Sequence, residues 1–155
     1  MAPVIDFLLD RHLSPQWRGV LAALAAEFET QLGGAELREL MHRVGSRFAG
    51  AHPLPVCLSV VDLERAINQR WLEADWGYVE IVEAPDALRI AHFCSPLKAF
   101  GANALSWTPG FLEGVYEMWL AELGGEGLRV EQTSTFDEDG VIDFRVGNRL
   151  GQRHR

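Results

Sequence analysis

The hydrophobic period of this chain changes in its middle, and that change limits the folds open to it. Before Ala74, apolar residues recur at steps of three and four, as on one face of a helix. From Tyr78 they alternate, as on one face of a strand. The change falls in "DWGYVEIVEAPDALRIAHFCSP", Asp75 to Pro96. Tyr78, Glu80 and Val82 alternate with Val79, Ile81 and Glu83, "EAPDA" reads as a turn, and Leu88 to Cys94 returns as the second arm of a hairpin.

The elements on either side follow from their punctuation. Ser14 and Pro15 offer an N-cap and a first-turn proline for "QWRGVLAALAAEFETQLGG". Gly33 and Gly34 are expected to end that helix in a left-handed C-terminal cap. Leu37, Leu40, Met41, Val44 and Phe48 mark a second helix, which "GAHPLPVC" interrupts. A third begins at Ser59, with Asp62 at capping-box spacing and Leu63, Ile67 and Trp71 as its inward stripe. "SPLKAFGANALS" reads as a mobile loop. Thr108 and Pro109 are expected to cap a fourth helix carrying Leu112, Val115, Tyr116, Trp119, Leu120 and Leu123, which Gly124 and Gly125 end. Two more strands, Leu128 to Thr135 and Val141 to Val146, flank the turn "DEDG", and the basic tail "GNRLGQRHR" is expected to fray. The expectation is one α+β domain over residues 1–155. It has a helix-rich N-terminal half, then two β-hairpins separated by a long helix, with helices on one face of an antiparallel sheet.

Composition removes several functions. With 48% hydrophobic residues the chain is built to bury a core, and its net charge of -8 disfavours nucleic acid and anionic membrane surfaces. No run approaches the ~20 apolar residues of a membrane span. The N-terminus reads as lacking a secretory signal, and two well-separated cysteines, Cys57 and Cys94, fit a reducing compartment.

Candidate chemistry is sparse. His92 and Cys94 are two apart and share a face on the alternation, but Leu88 and Ile90 make that face apolar. A zinc site would need His52 and Cys57 as well, in a spacing unlike any finger. A Cys–His nucleophile pair would lack a third group to orient the imidazole. The Gly-rich stretches read as helix stops rather than phosphate loops, and no cofactor or metal is expected. Of the five tryptophans, Trp71 and Trp119 fall on apolar stripes, and Trp17 and Trp107 are expected to be the exposed pair. The first long helix carries more apolar surface than a thin sheet can cover. Trp17, Val20, Leu24 and Phe28 are therefore the expected contact surface of a homo-oligomer.

Three stretches, "ADWGYVEI" (Ala74 to Ile81), "DALRIAHF" (Asp86 to Phe93) and "FLEGVYEMWL" (Phe111 to Leu120), in this order and spacing, resemble the cellulose synthase operon protein D family, the D subunits encoded in bacterial cellulose-secretion operons. The resemblance runs from the first helix through the last strand. It implies a non-enzymatic accessory subunit, a ring-like octamer built as a tetramer of dimers, with passages for individual glucan chains. It also implies partners in the synthase complex and a role in cellulose yield and crystalline order. In the family the N-terminal segments line the passages. Carried onto this sequence, that points to Asp6, Asp10, Arg11 and His12 as groups for sugar hydroxyls, the alternative being a plain disordered or packing terminus. Cys94 departs from the family pattern, which argues against a shared metal site and makes His92 a structural histidine. The expected location is the cytoplasm beside the inner-membrane synthase, with the periplasm as alternative. The competing reading from another class is a carbohydrate-binding or carbohydrate-active enzyme with a pocket behind residues 95–105; a small-molecule sensor domain is the third.

Overall fold

The structure, a computed structural model, describes residues 2–134 and 140–148, the side chains at positions 2, 5 and 6 excepted. Five helices are α1 (Ala2–His12), α2 (Pro15–Gln31), α3 (Gly34–Ala51), α4 (Val60–Ala74) and α5 (Gly110–Glu122). The strands are β1 (Tyr78–Ala84), β2 (Ala87–Phe93), β3 (Leu128–Gln132) and β4 (Val141–Asn148), joined in one antiparallel sheet of order β1-β2-β4-β3. The α+β expectation holds, and the two hairpins merge because β4 lies beside β2, with Ile90 opposite Phe144 and His92 opposite Ile142.

Alternation decides which side of the sheet is covered. Val79, Ile81, Ile90, His92, Ile142, Phe144 and Val146 are buried, while Tyr78, Glu80, Val82, Arg89 and Asp143 are exposed. The buried face meets α4 and α5, with α3 packed across α5, and the inward residues of the three helices include Leu37, Met41, Leu63, Ile67, Trp71, Leu112, Val115 and Trp119. Helices α3 and α5 cross at backbone distance. A Cβ added at Gly45 would lie 1.9 Å from the Phe111 carbonyl oxygen, and one at Gly114 would lie 2.0 Å from that of His42. Glycine is required there for lack of space rather than for a turn.

Several sequence expectations give way. The N-terminal segment is helical, its Pro3 sitting in the first turn where a missing N–H costs nothing. Gly33 and Gly34 do not form a left-handed cap: Leu32 ends α2, and Gly33, with φ -77°, is the N-cap of α3. Ser59 does cap α4, its Oγ accepting from the Asp62 N–H, but Asp62 reaches back to the N–H of Leu58, one residue beyond the cap. Thr108 turns its hydroxyl back to the Ala104 carbonyl instead of capping α5. Residues 95–106 are not an open loop. They form two 3-10 turns, Pro96–Phe100 and Ala102–Ser106, anchored by the buried Leu97 and Ala104. Strand β3 stops at Gln132. Residues 135–139, with most of the acidic turn, and residues 149–155 of the basic tail lie outside the described residues.

Candidate functional site

The opening hairpin resolves into a buried relay. Strand β2 ends at Phe93, and Cys94 takes a left-handed conformation at φ 62°, so the strand alternation that would set it beside His92 does not extend to it. The two do not form a pair, and among the described residues no three His, Cys, Asp or Glu side chains come together as a metal site. His52 is bonded at Nδ1 to the Phe48 carbonyl, and the Cys57 thiol donates to the Pro55 carbonyl. Gly77 has φ 82° and sits so close to the β2 end that a Cβ would fall 1.9 Å from the Phe93 carbonyl oxygen. That approach brings the Trp76 carbonyl over His92.

The fully buried His92 ring is bonded at both nitrogens. Nε2 lies 2.7 Å from the Trp76 carbonyl oxygen, an acceptor only, so Nε2 carries the proton and donates. Nδ1 is therefore free to accept from the Tyr116 hydroxyl, 2.5 Å away. Tyr116 Oη in turn accepts from the Trp71 indole N–H at 3.1 Å. Burial lowers the His92 pKa to about 4, against a weaker upward pull from the Trp76 carbonyl, and burial raises that of Tyr116 well above its usual value. The relay is thus a neutral, satisfied chain of polar groups among Trp71, Trp76 and Tyr116. It holds β2, α4 and α5 together.

A second polar array lies at the β3 edge of the sheet. Arg38 Nη2 on α3 is 3.1 Å from Glu113 Oε2 on α5, and that oxygen accepts from the Gln132 backbone N–H at 2.7 Å. One helical turn along, His42 Nε2 is 3.1 Å from Glu117 Oε1, and Glu117 Oε2 accepts from the Val130 N–H at 3.1 Å. The hydrogen bond to Glu117 raises the His42 pKa despite partial burial. For Glu117, burial pushes the pKa up, but the bonds from His42 and Val130 together outweigh it and leave the pKa lowered. The sequence reading missed all four side chains. Their i, i+4 spacing on each helix was visible, but their partners on β3 were not.

The residues expected to face glucan lie on α1. The Asp6 side chain is outside the described residues. Asp10, Arg11 and His12 are exposed and consecutive, so they fan out by about 100° each around the helix and share no face. His12 Nδ1 lies 3.1 Å from Asp75 Oδ2, Arg11 sits 5.7 Å from the Phe7 ring centroid, and the Asp10 carbonyl accepts from Arg18. Beneath α1 is a cavity of about 380 Å³ whose walls include Leu8, Leu9, Leu13, Trp76, Cys94 and Pro96.

The stripe expected on α2 divides in two. Trp17, Val20 and Leu24 are 57%, 52% and 44% exposed, whereas Phe28 turns inward beside the buried Ala25 and packs on the core. Trp107, expected in the open, is 3% exposed; its indole N–H donates to Glu29 on α2 at 3.1 Å. Apolar exposure also occurs at Val4, Phe7 and Leu8 on α1, and at Val56, Leu58 and Val61 around the start of α4. Among the described residues no helix is long and apolar enough to cross a membrane.

What these elements define is a helical layer on one antiparallel sheet, with an apolar core between them and further apolar residues exposed on the outer helices. The same fold occurs in a trafficking protein particle complex subunit 3 from Naegleria fowleri, solved covalently bound to palmitic acid. The match has a TM-score of 0.57 at 13% identity and covers 86% of this chain and 93% of that one. Sequence comparison is more specific. Residues 3–147 match the family of the cellulose synthase D subunit. A cellulose synthase operon protein D from Komagataeibacter xylinus is 30% identical over 114 residues, 72% of this chain and 73% of its own. One from Komagataeibacter sucrofermentans matches to the same extent. The chain belongs to the cellulose synthase D subunit family, and with that membership goes a role in bacterial cellulose synthesis.

Proposed function

We propose that this chain is a non-catalytic accessory subunit of cellulose synthesis and export. It assembles into a ring-like octamer, a tetramer of dimers, that works beside the membrane synthase and helps glucan chains order into crystalline cellulose. The observation that carries the reading is the exposed apolar row Trp17, Val20 and Leu24 on α2. Three large apolar side chains left about half in water on one helix face gain roughly 1 kcal/mol each when a second copy covers them. A symmetric contact counts every residue twice. The buried state of His92 supports the absence of catalysis, since its two nitrogens are already bonded within the core. In this reading Asp10, Arg11 and His12 on α1 are the side chains through which passing glucan hydroxyls would be contacted, and the subunit works on the cytoplasmic side of the inner membrane.

The test is made in cells that synthesise cellulose and lack their own copy of the subunit. Restoring the wild-type chain is expected to raise the yield of crystalline cellulose, and Leu24→Glu is expected to fail to do so. Purified protein incubated with soluble glucan oligomers should leave their lengths unchanged. Shortened oligomers, or full restoration by a monomeric Leu24→Glu variant, would overturn the proposal.

A further inference from the structure

We infer that both edges of the sheet are locked from within by side chains of α4 and α5, so that copies of this chain are barred from joining by strand addition. An edge strand presents a row of unpaired N–H and C=O groups on which another chain can add, the usual route to open-ended aggregation. Here β1 and β3 are the edges. Three β3 amides face outward, and all three are taken: Leu128 donates to the Gly125 carbonyl, Val130 to Glu117 and Gln132 to Glu113. Each carboxylate is held in place by α3, Glu117 through His42 and Glu113 through Arg38. The positions run in step, with Arg38, Glu113 and Gln132 in one row and His42, Glu117 and Val130 in the next.

Strand β1 repeats the arrangement with a different helix. The Asn68 side chain takes both outward groups of Val79, accepting from its N–H at 2.7 Å and donating to its carbonyl at 3.0 Å, as a neighbouring strand would. One turn earlier, Glu64 accepts from the Ile81 N–H at 2.7 Å. Each edge is therefore served by two acceptor side chains four residues apart on one helix. That spacing of about 6 Å along a helix approximates the repeat between alternate residues of a strand. Self-association is thereby directed to side-chain faces, where contacts can close into a finite particle, and kept off edges, where they would propagate.

Amide hydrogen exchange on the full chain in its native assembly tests this first. Val79, Ile81, Val130 and Gln132 are expected to exchange about ten- to a hundredfold more slowly than Glu83, the next outward-facing amide of β1. The same protection in Leu24→Glu separates the result from the self-association proposed above. Glu113→Ala with Glu117→Ala is expected to yield larger, thioflavin-binding particles, while Glu113→Gln with Glu117→Gln, which keeps an acceptor oxygen, should retain the native size. The inference is overturned if Val130 and Gln132 exchange as fast as Glu83, or if the folded alanine pair stays at native size without binding thioflavin. Should the alanine pair not fold, the exchange rates of the wild-type chain decide alone.

Discussion

At His92 a single proton connects the core to pH. The ring is neutral in the fold, with its pKa lowered to about 4, and returns to its ordinary value when the chain unfolds. Between those values the unfolded chain binds the extra proton, so stability is full above about pH 6.5 and falls as pH drops towards 4. The loss is about 3 kcal/mol across that window. Urea unfolding at a series of pH values measures it, and His92→Gln should remove most of the slope while lowering stability throughout. His42 behaves in the opposite sense. Its raised pKa gives a contribution present at low pH and lost as pH rises through the folded value. Its partner Glu117, with a lowered pKa, contributes above its ordinary value and less as pH falls. Their contact is strongest between the two pKa values. NMR titration should show the His42 midpoint falling towards the ordinary histidine value in Glu117→Gln.

Among the elements, the α3–α5 crossing is the contact with least tolerance. Gly114→Ala places a methyl group where the His42 carbonyl already is, and should cost about 3 kcal/mol or more by thermal or urea unfolding. Gly50→Ala, also on α3 but with open space around it, should be neutral or stabilising by less than about 1 kcal/mol. The contrast shows what could be read from sequence. The Leu63, Ile67 and Trp71 stripe was legible because helix period alone turns those residues inward. The alternation of β1 and β2 was legible for the same reason. Gly114 was visible only as a letter in "FLEGVYEMWL", because its role depends on which backbone lies opposite. Trp107 was misplaced because its position is set by Glu29 on a distant helix. The bonds of Glu113 and Glu117 to β3 were equally hidden, being made across separations of 19 and 13 residues. The N-terminal helix is the least legible element, because it is only 11 residues long and has Pro3 near its start.

For the whole molecule, the surface divides by chemistry. The sheet edges are closed by polar side chains, and the outer helices keep apolar residues in water. In the proposed assembly, copies join through α2 and growth stops when the apolar faces are used. The candidate glucan groups on α1 rest on family resemblance and not on a pattern in the residues, and Asp10, Arg11 and His12 point to different sides of the helix. The most direct test is the native mass of the purified wild-type protein at micromolar concentration, beside Trp17→Glu and Leu24→Glu. The account predicts an octamer of the 17.3 kDa chain for wild type and smaller, folded species for the two variants. A wild-type mass of 17.3 kDa alone would contradict it.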